Sequence, residues 1–531
     1  MSDPAEQGSE SDGRVARRAG WVALGTLGSR ALGMVREMVV AATFHVGATD
    51  AFFIAFTIPN TFRQVLGEGA VANAFVPAFT EARARGREDG KRFLAGFSGA
   101  LLTMLVLATL AGVLAADGLA WLYAGGFRED VAKMARTVSL TRGLFPYLLL
   151  AGLAALATGA LNVLGRFAAP AFVPALLNVS MIACALLVVG PLSDAGLDPI
   201  FALVAGALLG GVLQVVMQLG LLRRSDSLVR PRWGFGDPEV RRALALMLPL
   251  LLGTGVYQLN ILLSRLFASH LAEGSQSYLS YGMRVVEIPQ GVFAMALASA
   301  ALPSLSRLRS EAKHEELLSL FRYSLRITLF IAVPASVALV VLAEPIAAVL
   351  FGRGAFTPNH VLQTARSLLW QGAGVWAVAC VRVLVPMFAA HRDTRTPVQC
   401  SALNLITFVG LSLALMGPYE HAGLAAANTV AAAVQVGALV WMLRRKLGPL
   451  GLSEVAGSLL RIGLAAAAMA GGLSVAREWL DWHETAEWLR AGAMLVLVAA
   501  GALAYIALAA LLRSPELREL LGALRRRTTA G

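Results

Sequence analysis

The stretch PIFALVAGALLGGVLQVVMQLGLLRRSDSLVRPRWGFGDPEVRR, residues 199–242, decides the class of fold. Its first part, 199–222, carries no charge. It exceeds the roughly 20 residues that cross a hydrocarbon core as helix. Its second part holds Arg223, Arg224, Arg230, Arg232, Arg241 and Arg242, the largest basic cluster of the chain. An apolar run closed by arginines marks a membrane helix ending at the cytoplasmic face.

The same pattern recurs on both sides. Apolar runs occupy 20–44, 50–80, 93–117, 137–163, 169–191 and 199–222 before the basic stretch. After it come 243–269, 278–304, 321–343, 363–390, 398–417, 422–443, 457–476 and 490–512. The expected fold is therefore an all-α polytopic membrane protein of about 14 transmembrane helices. Composition agrees. The chain is 57% hydrophobic and 15% charged. Soluble domains average about 25% charged residues, so too little charge is present to cover a soluble surface of this size. The net charge of +12 sits in short clusters between apolar runs, which argues against a nucleic-acid partner. With the N-terminus placed in the cytoplasm, about 30 Lys and Arg fall in cytoplasmic segments and about 6 outside. Both termini are then cytoplasmic. Residues 1–19 read as a disordered tail, and 513–531 as a basic cytoplasmic tail containing Arg525, Arg526 and Arg527.

Two parts of the chain resemble each other. ALNVLGRFAAPAFVPALLN (160–178) parallels VRVLVPMFAAHRDTRTPVQCSALN (381–404), with a basic turn, a Pro opening the next helix, and Ala-Leu-Asn. Ile58-Pro59-Asn60 and Phe75-Val76-Pro77 parallel Ile288-Pro289-Gln290 and Ala301-Leu302-Pro303. The expectation is two six-helix lobes in parallel pseudo-two-fold repeat, 20–222 and 243–446, joined by the linker 223–242. Two extra helices, within 447–512, follow them.

Charges inside the spans mark candidate function, because an ionisable group at mid-bilayer costs about 2.5–3.5 kcal/mol on insertion scales. The first helix carries Arg30, Arg36 and Glu37, with Gly33 on the face of positions 30 and 37. The second carries Arg63 between Pro59 and Gly67-Glu68-Gly69. At about 47 Å it exceeds the bilayer core, so it must bend, tilt or protrude. Asp50 opens that helix, where an N-cap role is the local expectation. The eighth helix carries Arg284 and Glu287, spaced for an ion pair within the helix, and then Pro289. Arginine forks suit phosphate, so these four arginines in one cavity would bind a pyrophosphate. Glu37, Glu68, Asp50 and Glu287 have the charge to neutralise them.

Other chemistry is poorly provided for. The seven histidines (45, 270, 314, 360, 391, 421 and 483) lie in loops and at helix ends. No GxxxxGK[ST] phosphate loop and no acidic metal motif occurs. Cys184, Cys380 and Cys400 read as packing residues. No cofactor and no metal is expected.

The stretches SRALGMVREMVVAATFHVGATDAFFIAFTIPNTFRQVLGEGAVANAFVPAFTE (29–81) and FPYLLLAGLAALATGALN (145–162) resemble the MurJ/MviN lipid II flippases. So do RFAAPAFVPALLN (166–178) and YGMRVVEIPQGVFAMALASAALPSLS (281–306). That family lies in the multidrug/oligosaccharidyl-lipid/polysaccharide exporter superfamily. The resemblance implies a transporter rather than an enzyme. It would move lipid II, the undecaprenyl-pyrophosphate-linked peptidoglycan precursor, across the bacterial inner membrane by alternating access. Substrate contacts would fall on Arg30, Arg36, Glu37, Arg63 and Arg284. Asp50, Glu68, Glu287, Gly33, Pro59 and Pro289 would support them. The last two helices would form a groove for the polyprenyl tail. Implied partners are lipid II, membrane lipids and cell-wall synthesis proteins. Met283 departs from members that place Asp there. No carboxylate lies in the spans of helices 7, 11 and 12, so no sodium site is expected. The rival readings are an exporter of polysaccharide lipids or drugs, a scaffold, or an enzyme acting on polyprenyl lipids.

Overall fold

The computed structural model describes residues 25–64, 72–253, 255–298 and 314–529. The tail 1–19, Glu68 with its flanking glycines, and the Ala301-Leu302-Pro303 motif lie outside them. Each of the 14 apolar runs is helical over most of its described residues. Nine helices among these residues are long and apolar enough to cross a membrane. One of them, Arg395–Leu447, is two helices meeting at Glu420, where φ is 51° and ψ is −134°. Pro418 lies just before that break and weakens the helix there.

Two compact units divide the chain, Met1–Gln276 and Ser277–Gly531. In the first unit a helix over 25–43 leads to Val46–Arg63 and Ala72–Arg85. The described part of the long second run lies in these two helices. Pro59 does not break it; the helix continues through that residue to Arg63. Gly86 then turns the chain into Arg87–Leu114. Around this turn Phe75, Phe79, Phe93 and Phe97 pack together, with ring centroids 5.0–6.1 Å apart. All four are buried, which fixes the hairpin by apolar burial.

The element pattern repeats between the units. Arg87–Leu114 is followed by the short helix Ala116–Tyr123, then Val131–Leu144 and Pro146–Val163. In the second unit His314–Val341 is followed by Ala343–Phe351, then Pro358–Ala373 and Val375–Ala390. Both long spans in these series break at one residue, Phe145 or Gly374. Pro146 supplies no backbone donor, so a helix begins there readily.

The linker does more than connect. Arg232 N donates to Ala95 O at 3.0 Å. A Cβ on Gly99 would stand 1.9 Å from Arg232 O, and one on Gly234 would stand 2.0 Å from Gly96 O. Gly96 and Gly99 therefore hold the linker backbone against the Arg87–Leu114 helix. Gly99→Ala should destabilise the chain by about 1–3 kcal/mol, as overpacking does. It should also speed tryptic cleavage after Arg232. Unchanged cleavage would mean that the linker is not held there.

The seventh run is helical over Pro238–Gly253 and Gly255–Ser269. They pack within the first unit. Gly126 N donates to Ser269 Oγ at 3.0 Å, and a Cβ on Gly126 would stand 2.3 Å from Ser269 O. The contact division therefore falls after this run, whereas the sequence repeat begins with it.

In the second unit the last two spans, Leu452–Ala476 and Glu487–Leu511, pack on each other and on His314–Val341. Tyr505 hydroxyl donates to Phe330 O at 2.8 Å. Leu460, Leu464, Leu495 and Val496 stay exposed, as lipid-facing positions would. The basic tail is helical over Pro515–Thr529. Arg326 binds Glu516 and Glu519, each at 2.8 Å. Burial alone would raise the Glu516 carboxyl. Hydrogen bonds from Ser458 and Ser514 and the charge of Arg326 hold it below its ordinary value.

Candidate substrate-binding charges

Four of the proposed site residues, Arg30, Gly33, Arg36 and Glu37, lie on the 25–43 helix. Arg36 forms an ion pair with Glu37. The two are neighbours in sequence and about 100° apart on the helix, so the long guanidinium arm must reach round to close the pair. Arg36 also donates to Asn178 Oδ1 at 3.1 Å, and Asn178 Nδ2 donates to Ser29 O at 3.0 Å. Asn178 thereby fastens the first helix to Ala168–Leu187. Sequence reasoning missed this role, although Asn178 closes a quoted repeat motif. Glu37 is buried and Arg30 intermediate, with Gly33 buried between them.

Arg63 donates from Nε to Asn60 Oδ1 at 2.8 Å. That bond stays within its own helix and orients the fork. Pro59 is buried one residue before Asn60.

Asp50 corrects its local reading. The helix starts at Val46 after His45, so Asp50 lies inside the first turns and cannot be the N-cap. It is 1% exposed. Its Oδ2 accepts from Lys133 Nζ at 2.9 Å and from Gly274 N at 2.7 Å. Lys133 is buried too, with its ammonium 4.3 Å from the centre of the Phe127 ring. Asp50 thus ties its own helix to Val131–Leu144 and to the turn before Ser275. A buried carboxylate needs such partners. Lys133 lies between the apolar runs 93–117 and 137–163, and no sequence pattern singles it out.

Arg265 joins the same neighbourhood. Asp50 and Glu37 both act on its charge. It donates to Gln276 Oε1 at 3.1 Å, and Gln276 Nε2 returns a bond to Arg265 O at 2.5 Å. The first unit therefore gathers Arg36, Glu37, Asp50, Lys133 and Arg265 into one charged district.

In the second unit Arg284 pairs with Glu287 at 2.6 Å, the pairing expected from their spacing. The Ser275–Ala298 helix runs on through Pro289. Arg382 reaches the next residue, donating to Gln290 O at 3.3 Å. Of the four acids considered as partners for arginines, Glu37 and Glu287 take that role directly. Asp50 binds a lysine and a backbone amide and acts on the charge of Arg265.

Arginines held by single acids can exchange those acids for the oxygens of a phosphate group, because guanidinium matches phosphate with two parallel bonds. The arrangement suits anion binding more than bond-making.

Comparison with known proteins places the chain. Residues 40–487 match the family model described as lipid II flippase MurJ. A probable lipid II flippase MurJ of Vibrio cholerae is 35% identical over 508 residues, covering 92% of this chain and 94% of the relative. A lipid II flippase MurJ of Burkholderia cenocepacia is 34% identical over 428 residues, covering 79% and 82%. A solved lipid II flippase MurJ in an inward closed conformation superposes with a TM-score of 0.76 at 22% identity, over 94% of this chain and 99% of that one. An inward-facing multidrug resistance transporter of the MATE family gives a TM-score of 0.60 at 13% identity, over 81% and 98%. These two likenesses show a shared fold. The family model and the curated relatives go further: the chain belongs to the lipid II flippase MurJ family.

Proposed function

We propose that this chain is a lipid II flippase of the bacterial inner membrane, a transporter and not an enzyme. The observation that carries the reading is the 35% identity to a probable lipid II flippase over 92% of the chain. The substrate is then a polyprenyl pyrophosphate bearing a disaccharide-peptide, carried from the cytoplasmic to the outer leaflet.

The proposed pyrophosphate contacts are Arg30, Arg36, Arg63 and Arg284. Glu37 and Glu287 hold two of these forks in place while substrate is absent. Asp50 supports the district from within its helix. The exposed leucines and valines of the last two spans offer an apolar track for the polyprenyl tail. Alternating access moves the headgroup while the tail stays in lipid. The clusters of Lys and Arg place both termini in the cytoplasm. An inside-negative potential then favours outward passage of the anionic headgroup by about 2.3 kcal/mol per charge per 100 mV.

The test is lipid II exposure at the outer face of cells that depend on this chain alone. Exposure that stops when the chain is depleted is the expected result. Exposure unchanged by depletion would overturn the reading. Loss of another polyprenyl lipid in its place would point to a different cargo.

A further inference from the structure

The seven histidines look scattered in sequence, yet two of them meet in the second unit. Tyr278 hydroxyl lies 2.8 Å from His360 Nδ1. The ring of the same tyrosine lies 5.2 Å from the ring of His421. Tyr278 is 4% and His421 is 2% exposed, while His360 is partly open. His421 Nε2 lies 2.9 Å from Gln363 O. A carbonyl only accepts, so Nε2 carries the hydrogen and Nδ1 is where a further proton would be taken.

Behind His360 the same helix presents Thr364, Ser367 and Gln371. The steps of 4, 3 and 4 residues put all four on one face. Thr364 and Ser367 are fully buried and Gln371 is 7% exposed. Among the described residues, Thr364 Oγ1, Ser367 Oγ and Gln371 Oε1 have no hydrogen-bond partner. Gln371 Nε2 crosses to Leu279 O at 3.1 Å. Gly282 admits this amide, since a Cβ there would stand 2.6 Å from Gln371 Oε1 and 3.3 Å from Ser367 Oγ. Buried polar oxygens of this kind are satisfied by ordered water, typically with about three bonds each. Three in a row, leading inward from a histidine pair, describe a path rather than a packing defect.

We propose that the stripe His360–Thr364–Ser367–Gln371, with Tyr278 and His421 facing it, is a hydrated proton-binding site. The ligand is a proton from bulk water, taken by the imidazole pair and stabilised by waters bridging the oxygens behind it. Histidine is the side chain whose ordinary titration falls between pH 5 and 8. A charged His360 donates from both ring nitrogens, so Tyr278 accepts at Nδ1 in that state. Besides the two histidines and Tyr278, nearby titratable or charged groups are Tyr281, Glu420 and Arg366. Tyr281 packs on Phe351 and Phe356. Glu420 is exposed beside His421, and Arg366 is exposed and bonds Gln363 Oε1. With the orientation proposed above, the His360 end faces outward. Tyr278 lies on the helix that bears Arg284, so protonation acts on the element that carries a proposed substrate contact. That link to transport rests on the lipid II reading; proton binding itself does not.

The experiment is 13C NMR of histidine-labelled full-length chain in nanodiscs, titrated from pH 5 to 8. His360→Gln and His421→Gln assign the two signals. Both imidazoles are expected to titrate. Removing either histidine lifts the like-charge repulsion and should raise the midpoint of the other by about half a pH unit. Tyr278→Phe and Ser367→Ala should each lower a midpoint by a similar amount, since they remove partners of the charged form. Signals that stay fixed across the range, or midpoints indifferent to all four replacements, would overturn the site. Lipid II translocation is measured in the same nanodisc-purified chain after transfer to vesicles. A chain that titrates as described yet moves no lipid II supports the site and overturns the transport reading.

Discussion

Asp50→Ala should destabilise the folded chain by about 3–5 kcal/mol, the cost of leaving a buried charge without its partner. The substitution strands the Lys133 ammonium, which is 9% exposed as a residue. It also removes the acceptor of Gly274 N, 2.7 Å away. Lys133→Met should cost less, about 1–3 kcal/mol. Methionine keeps most of the apolar volume beside Phe127, and Asp50 retains the Gly274 amide and the nearby charge of Arg265. The double replacement Asp50→Asn with Lys133→Met should recover most of the Asp50→Ala loss. It leaves no stranded ammonium, and the new amide still accepts from Gly274. Unfolding of the purified chain by detergent titration measures all three. Equal losses for the two single replacements would mean that the pair, and not the stranded ammonium, sets the cost.

This cluster also shows where sequence reasoning stops. The apolar runs were legible because membrane spans need length and composition alone. The repeat was read from matching Pro and Ala-Leu-Asn motifs, and the helices run on through Pro59 and Pro289. The Arg284–Glu287 pair was legible because three residues on a helix bring side chains together. Asp50 and Lys133 are 83 residues apart, and no spacing rule joins them. A local rule read Asp50 as a cap, and four further residues of helix before it made that rule inapplicable. Asn178 lies 142 residues from Arg36. The motif containing it was visible, but its partner depends on which helices pack. His360 and His421 were written off as helix-end residues for the same reason. Each one's helix was legible, and the meeting of those helices on Tyr278 was not.

Arg284→Ala should lower lipid II exposure by a factor of about 10 to 100, which corresponds to one lost hydrogen bond to a charged group at about 1.5–3 kcal/mol. Arg284 NH1 bonds Glu287 Oε2 at 2.6 Å, and the side chains are 21% and 45% exposed. The acid is thus the more solvated partner, and water can take it over when a phosphate arrives. Arg284→Lys should keep the charge but lose the planar fork, leaving a smaller defect of about tenfold or less. Glu287→Gln separates two roles for the acid. If it only holds the fork until substrate comes, the amide should leave exposure near normal, because it still accepts a hydrogen bond from Arg284. If the acid must be charged to eject the pyrophosphate on the outer side, exposure should fall while lipid II remains bound to the purified chain. Chain abundance in the membrane is measured alongside each variant. Normal exposure in Arg284→Ala at normal abundance would leave the Arg284–Glu287 pair a helix-stabilising contact and remove the second unit's arginine from the proposed site.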